Sequence, residues 1–118
     1  MSGMQGLIII VAGPDPERFR SALEVAAANA ALGRPTRLFL QSAAASLLRG
    51  TAAATTAAGM PSLQELLDDT MALGAGISVC QSGLALAGLR ADELPSGVEA
   101  GGLVELLSTG GDHQMVMV

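Results

Sequence analysis

Cys80 and His113 are each the only residue of their kind in the chain, so a thiol nucleophile must be Cys80 and any triad or metal site within one subunit would have to use His113. Cys80 ends the apolar run Ile77-Ser78-Val79-Cys80 and is followed by Gln81-Ser82-Gly83, a strand running into a helix start. Backbone N–H groups left unpaired at a helix start, with the positive end of the helix dipole, favour thiolate over thiol. A cysteine so placed is able to act as a nucleophile or to carry a transferred sulfur, with a pKa below that of a free thiol. The same position also suits a small hydrophobe buried at a strand end, because free cysteine is among the most buried residue types.

His113 opens the last apolar run, at the end of a parallel sheet opposite to Cys80. A Cys–His pair in one subunit is therefore disfavoured, and Asp112-His113 reads as a solvated strand entry. One Cys and one His leave no transition-metal cluster, so no metal is expected. The carboxylate pairs Asp68-Asp69 and Asp92-Glu93 fall on helix or loop surfaces and read as solvated faces. Gly83 to Gly88 (GLALAG) lacks the G-x-G-x-x-G spacing, and Gly101-Gly102 is expected inside a helix. With no Lys in the chain there is no P-loop, and no cofactor is expected.

The elements that must position Cys80 follow from local signals. Gly6–Ala12 (GLIIIVA) is β-branched without alternation, as for a strand covered on both faces. Asp15 suits an N-cap, Pro16 the first helical position and Glu17 the first turn of an Ala-rich helix ending near Gly33. Thr36–Gln41 reads as a second strand, with Gln41-Ser42 its polar end, and Ala43–Leu48 as one or two helical turns. Arg49–Met60 is low-complexity sequence expected to form a mobile loop. Ser62-Leu63-Gln64-Glu65 matches a capping box and opens a helix to about Leu73. Ile77–Cys80 is a strand and Ser82–Leu89 a helix. Ser96-Gly97-Val98-Glu99 matches a second capping box, expected to open a helix through Leu103, Leu106 and Leu107. His113–Val118 is the last strand.

Strands alternating with helices imply right-handed crossovers, and so a three-layer α/β/α domain spanning residues 1–118 with a mostly parallel sheet of four to five strands. Ligands of such sheets bind beyond the carboxyl ends of the strands. That rule selects Gly13, Asp15, Gln41, Ser42, Gln81 and Ser82 as pocket residues around Cys80.

Composition excludes several functions. Of 118 residues, 50% are hydrophobic and 2% aromatic, with no Trp or Tyr, which removes base-stacking platforms. A net charge of -5 is the wrong sign for a nucleic-acid or anionic membrane surface. A single Cys forms no intramolecular disulfide. The run Leu7–Val11 is too short for a signal-peptide core and lacks a basic flank. The uncharged stretch Thr70–Leu89 is interrupted by Gly74, Gly76, Gly83 and polar residues, so it reads as buried strand and helix rather than a membrane span. A cytoplasmic location is expected. The mean hydropathy of +0.49 places some apolar surface between subunits.

Ile77–Ser82, Gly88-Leu89, the segment Leu94-Pro95-Ser96-Gly97-Val98-Glu99-Ala100-Gly101-Gly102-Leu103 and the terminal apolar strand together resemble the DsrE/DsrF-like family. The Asp15-Pro16 helix start and the helix ending at Gly33 extend the resemblance over nearly the whole chain. It implies a Rossmann-like three-layer fold of about five mostly parallel strands, commonly assembled as a homotrimer or homohexamer. For members keeping the Cys it implies sulfur relay: Cys80 receives a persulfide from a sulfur-donor protein and passes it to a sulfur-acceptor protein. Four strands are evident, so a fifth is expected near Ala43–Thr56 or is absent. The competing reading is a non-catalytic oligomeric module that binds a small ligand, with a structural Cys80. Thiol reactivity separates the two.

Overall fold

The computed structural model describes residues 5–49 and 59–118. Most of the expected Arg49–Met60 loop, residues 50–58, lies outside the described residues. Strand β1 (Gly6–Val11) leads into helix α1 (Pro16–Ala31). The Asp15 carboxylate caps α1, accepting from the Glu17 N–H at 2.9 Å, with Pro16 in the first turn where its missing donor costs nothing. Strand β2 (Thr36–Leu40) is followed by a 3₁₀ helix, Ser42–Leu48. Helix α2 (Leu63–Ala72) starts in the expected capping box: the Glu65 N–H donates to Ser62 Oγ at 3.1 Å, and the Ser62 N–H to Glu65 Oε1 at 3.0 Å. Strand β3 (Gly76–Cys80) runs directly into helix α3 (Gln81–Ala87). Among the described residues no helix is long and apolar enough to cross a membrane; the uncharged stretch from Thr70 is divided among α2, β3 and α3.

The second expected capping box does not open a helix. Ser96-Gly97 lie in a turn in which Gly97 takes a left-handed φ of +92°, a conformation no helix continues. Val98 drops into the core, and Glu99–Gly101 form a short strand, β4, with Ser78↔Glu99 and Cys80↔Gly101 in register. This is the fifth strand of the sheet; of the range Ala43–Thr56 in which one was expected, Ala43–Leu48 belong to the 3₁₀ helix and residues 50–56 lie outside the described residues. Helix α4 (Leu103–Thr109) begins only afterwards, so Gly101 ends β4 and Gly102 is the N-cap of α4 instead of both sitting inside a helix. Strand β5 (His113–Met117) closes the sheet.

All four pairings are parallel, and the strand order is β4-β3-β2-β1-β5. Because successive side chains on a strand face opposite ways, each strand serves two layers. One layer packs Ile9, Val11, Leu38, Leu40, Ile77 and Val79 beneath α1, α2, α3 and the 3₁₀ helix. The other is small: Ile8, Ile10 and Phe39 are covered by Leu106 of α4, with Cys80 and Leu103 at its margin. Leu106 is 1% exposed, whereas Val104 on the same helix is 82% exposed. One side chain therefore anchors the whole layer. Leu106→Ala should cost about 2–4 kcal/mol and Val104→Ala almost nothing, measured as the shift of the urea midpoint.

Candidate functional site

Cys80 is the last residue of β3 and the N-cap of α3, and its thiol is half-buried. It lines a cleft of about 350 Å³ at the carboxyl ends of the strands, together with Gln41, Ser42, Gln81 and Ser82. The opposite wall is Gly101, Gly102 and Leu103, the β4–α4 junction. Sequence reasoning missed these three, because a strand of only three residues shows no alternation and its glycines sit beside helix-forming residues. The available signal was a pair of glycines, at a position where side chains would narrow the cleft.

Gly13 and Asp15 follow β1, two strands from β3, and are not in the lining of this cleft. Asp15 is engaged as the α1 cap and pairs with Arg18 at 3.7 Å. A wider cleft of about 400 Å³ lies along that helix between Glu17, Arg18, Ser21 and Val118, on the other side of the sheet order from Cys80. His113 stands at the start of β5, paired with Gly6, at the far edge and the opposite end of the sheet from Cys80. No Cys–His pair forms within the chain. Among the described residues no three His, Cys, Asp or Glu side chains could hold a metal ion.

The electrostatics at Cys80 come from dipoles. Partial burial pushes the thiol pKa up. The Ser82 hydroxyl and the backbone amides of Gly83, Ser42 and Ser82 pull it down more strongly, so the net shift is below the ordinary value. The Ser82 Oγ lies 2.9 Å from Sγ. Two of the amides belong to the first turn of α3, where no carbonyl precedes them to take their hydrogens. The third is presented by Ser42, a non-glycine residue held at φ +53°, a left-handed conformation that costs energy and must be imposed by its surroundings. Arg49 plays no part at the thiol: its guanidinium donates to the Ala87 carbonyl, at the other end of α3.

The surroundings that hold Ser42 are visible at Gly83. A Cβ there would lie 2.5 Å from the Ser42 carbonyl oxygen and 3.1 Å from Ala45 Cβ, so only glycine lets α3 approach the 3₁₀ helix this closely. In an exposed helix Gly→Ala is stabilising by about 1 kcal/mol. At this buried contact Gly83→Ala should instead cost about 1–3 kcal/mol through overpacking, and should pull the Ser42 amide off the thiol. Ser82→Ala leaves the packing alone and removes one donor, worth ~1 kcal/mol or about fivefold. For both variants the midpoint of alkylation rate against pH should move up, lowering reactivity at neutral pH; only Gly83→Ala should also lower the urea midpoint. An unchanged alkylation midpoint in Ser82→Ala contradicts this account.

A model of the DsrE/DsrF-like family matches residues 5–114. Among solved structures, the YchN protein of E. coli superposes with a TM-score of 0.72 at 24% identity, over 98% of this chain and 100% of that one. A protein of unknown function from Methanobacterium thermoautotrophicum, MTH1491, gives 0.73 at 14% identity, over 97% and 99%. A conserved protein of unknown function from Bacteroides thetaiotaomicron, BT1422, gives 0.67 at 15%, over 95% and 94%. Identities this low speak for the fold alone. No curated protein sequence matches the chain.

Proposed function

Since the chain belongs to the DsrE/DsrF-like family, we propose that it is a sulfur carrier or sulfurtransferase component that receives a persulfide on Cys80 and relays it to a partner protein. The observation that carries this reading is the half-buried Cys80 thiol at the wall of an open cleft, with three amides and a hydroxyl lowering its pKa. In the loading step the Cys80 thiolate attacks the outer sulfur of a donor persulfide. A new S–S bond forms to Sγ as the donor's S–S bond breaks, and the bonding pair leaves on the donor sulfur as thiolate. In the unloading step an acceptor thiolate attacks the outer sulfur now on Cys80, and Cys80 leaves as thiolate. Neither step consumes an oxidant or reductant, because the outer sulfur is handed on at the same oxidation level. An unpaired, reactive thiol of this kind belongs in a reducing compartment, which fits the cytoplasm.

The full chain incubated with a persulfide donor should gain about one sulfur atom, ~32 Da, in intact mass. The gain should vanish on reduction and be absent in Cys80→Ser. A thiol that stays unmodified until the protein is denatured refutes the carrier role and leaves Cys80 a packing residue.

Assembly as a homotrimer or homohexamer belongs to the same reading. Strand β5 is an edge, and it leaves Met115 45%, Val116 46% and Met117 63% exposed, with Leu107 of α4 at 46%. The strand carries no charge in Met115–Val118 to deter pairing, and exposed apolar surface of this kind marks an interface. Light scattering at micromolar concentration should report three or six copies of 11.8 kDa, and Met117→Glu should shift the mass toward one copy. A monomeric wild-type chain contradicts this.

A further inference from the structure

A second cleft, of about 280 Å³, adjoins the Cys80 cleft at Gly101, which lines both. Its floor includes Gly76 and Ser78 of β3, on the strand face that also bears Cys80, and none of these three brings a large apolar side chain for a helix to cover. Helix α4 sits over β1 and β2 instead, where Leu106 meets Ile8, Ile10 and Phe39. Three charged side chains line the exposed floor: Arg37 from β2, Glu99 from β4 and Glu105 from α4. The Arg37 Nη1 donates to Thr109 Oγ1 at 2.7 Å, yet among the described residues no carboxylate lies within ion-pair distance of its guanidinium. A cleft therefore leads away from Cys80 and carries a guanidinium and two carboxylates, none of which forms an ion pair among the described residues.

We propose that this cleft receives a low-molecular-weight thiol persulfide bearing a free α-amino-acid end, with Arg37 on its carboxylate and Glu99 and Glu105 about its ammonium. The proposal rests on the carrier reading of Cys80 and names the donor class for it. Charge excludes simpler ligands. A plain dianion meets two carboxylates, and a plain cation meets Arg37, whereas a zwitterion satisfies both signs. The planar guanidinium fork suits a carboxylate in particular. Register sets the length. Glu99 is opposite Ser78 and Arg37 opposite Gly76, which are about 7 and 13 Å back along β3 from Cys80. In a γ-glutamyl-cysteinyl thiol seven bonds separate the sulfur from the amino-acid carbon, about 9 Å when extended. In cysteine only two bonds separate them, too few to span from Sγ to the Arg37 end. The transfer is the loading step already described, with the small thiol leaving as thiolate.

The test compares initial rates of Cys80 persulfide formation in the full chain, by intact mass, with three donors: glutathione persulfide, cysteine persulfide and inorganic polysulfide. Arg37→Gln should slow loading from glutathione persulfide about tenfold at low donor concentration, the loss expected for one charged contact. It should leave loading from the other two within about twofold. Thr109→Val removes the hydrogen bond that ties Arg37 to α4 but keeps the charge, so a loss from Arg37→Gln alone is not a folding effect. Glu99→Gln should follow Arg37→Gln with this one donor. Equal rates in wild type and Arg37→Gln with glutathione persulfide overturn the proposal while leaving the carrier reading intact. If no donor loads Cys80, the carrier reading falls. Calorimetric titration of Cys80→Ser with S-methylglutathione then decides the cleft on its own: binding that Arg37→Gln abolishes sustains it, and no binding overturns it.

Discussion

The alternation of side chains along the strands divides the sheet between two unequal layers, and the site is a product of that inequality. On β1 both faces are apolar, Leu7, Ile9 and Val11 against Ile8 and Ile10, so both must be covered. On β3 only one face is: Ile77 and Val79 enter the larger core, while Gly76, Ser78 and Cys80 face the thinner side. On β4 Ala100 packs inward, and Glu99 and Gly101 do not. A single seven-residue helix is enough to cover the part of the thin side that needs covering. It goes to the centre of the sheet, and the flank that bears the cysteine is left open.

Within that opening the thiol is prepared without a cation. The chain contains no Lys, and the Arg49 guanidinium is spent on the carbonyl end of α3. Neutral dipoles do the work instead, and their placement depends on the approach that Gly83 permits. This arrangement suits a carrier better than a fixed positive charge would. A thiolate stabilised by hydrogen bonds is more populated when it attacks a donor, and the same bonds make Cys80 a better leaving group when an acceptor attacks the outer sulfur. A carrier must be able to do both.

What was legible in the sequence follows from how local each signal was. The α1 cap at Asp15-Pro16 and the Ser62–Glu65 box are complete within four residues, and both appear as read. The Ile77–Cys80 run and the polar residues after it placed Cys80 at a strand end, because strand-to-helix junctions are short and local. Strand β4 was hidden for the opposite reason. Its three residues are held by pairing with Ser78–Cys80, a contact some twenty positions away that no local period records. Ser96-Gly97-Val98-Glu99 has the residues of a capping box, but burial of Val98 and the left-handed turn at Gly97 outweigh local helix preference. Gly13 and Asp15 were drawn into the pocket by a rule that holds for the sheet as a whole. It does not tell one strand end from another two strands away.

The same topology separates the two surfaces that the chain leaves unfinished. The cysteine flank lies at β3 and β4, and the exposed methionines lie on β5, at the opposite edge. With strands about 4.8 Å apart, three steps from β3 to β5 amount to some 14 Å. Met115 and Met117 share the thin face with Cys80, since Met115 pairs with Ile8 and Met117 with Ile10. Copies that meet through β5 bury apolar surface on that face without approaching Gly101 or Ser82. The exposed apolar residues and the lining of the Cys80 cleft are therefore different residues at opposite edges of the sheet, so assembly through β5, as proposed, would leave the thiol accessible.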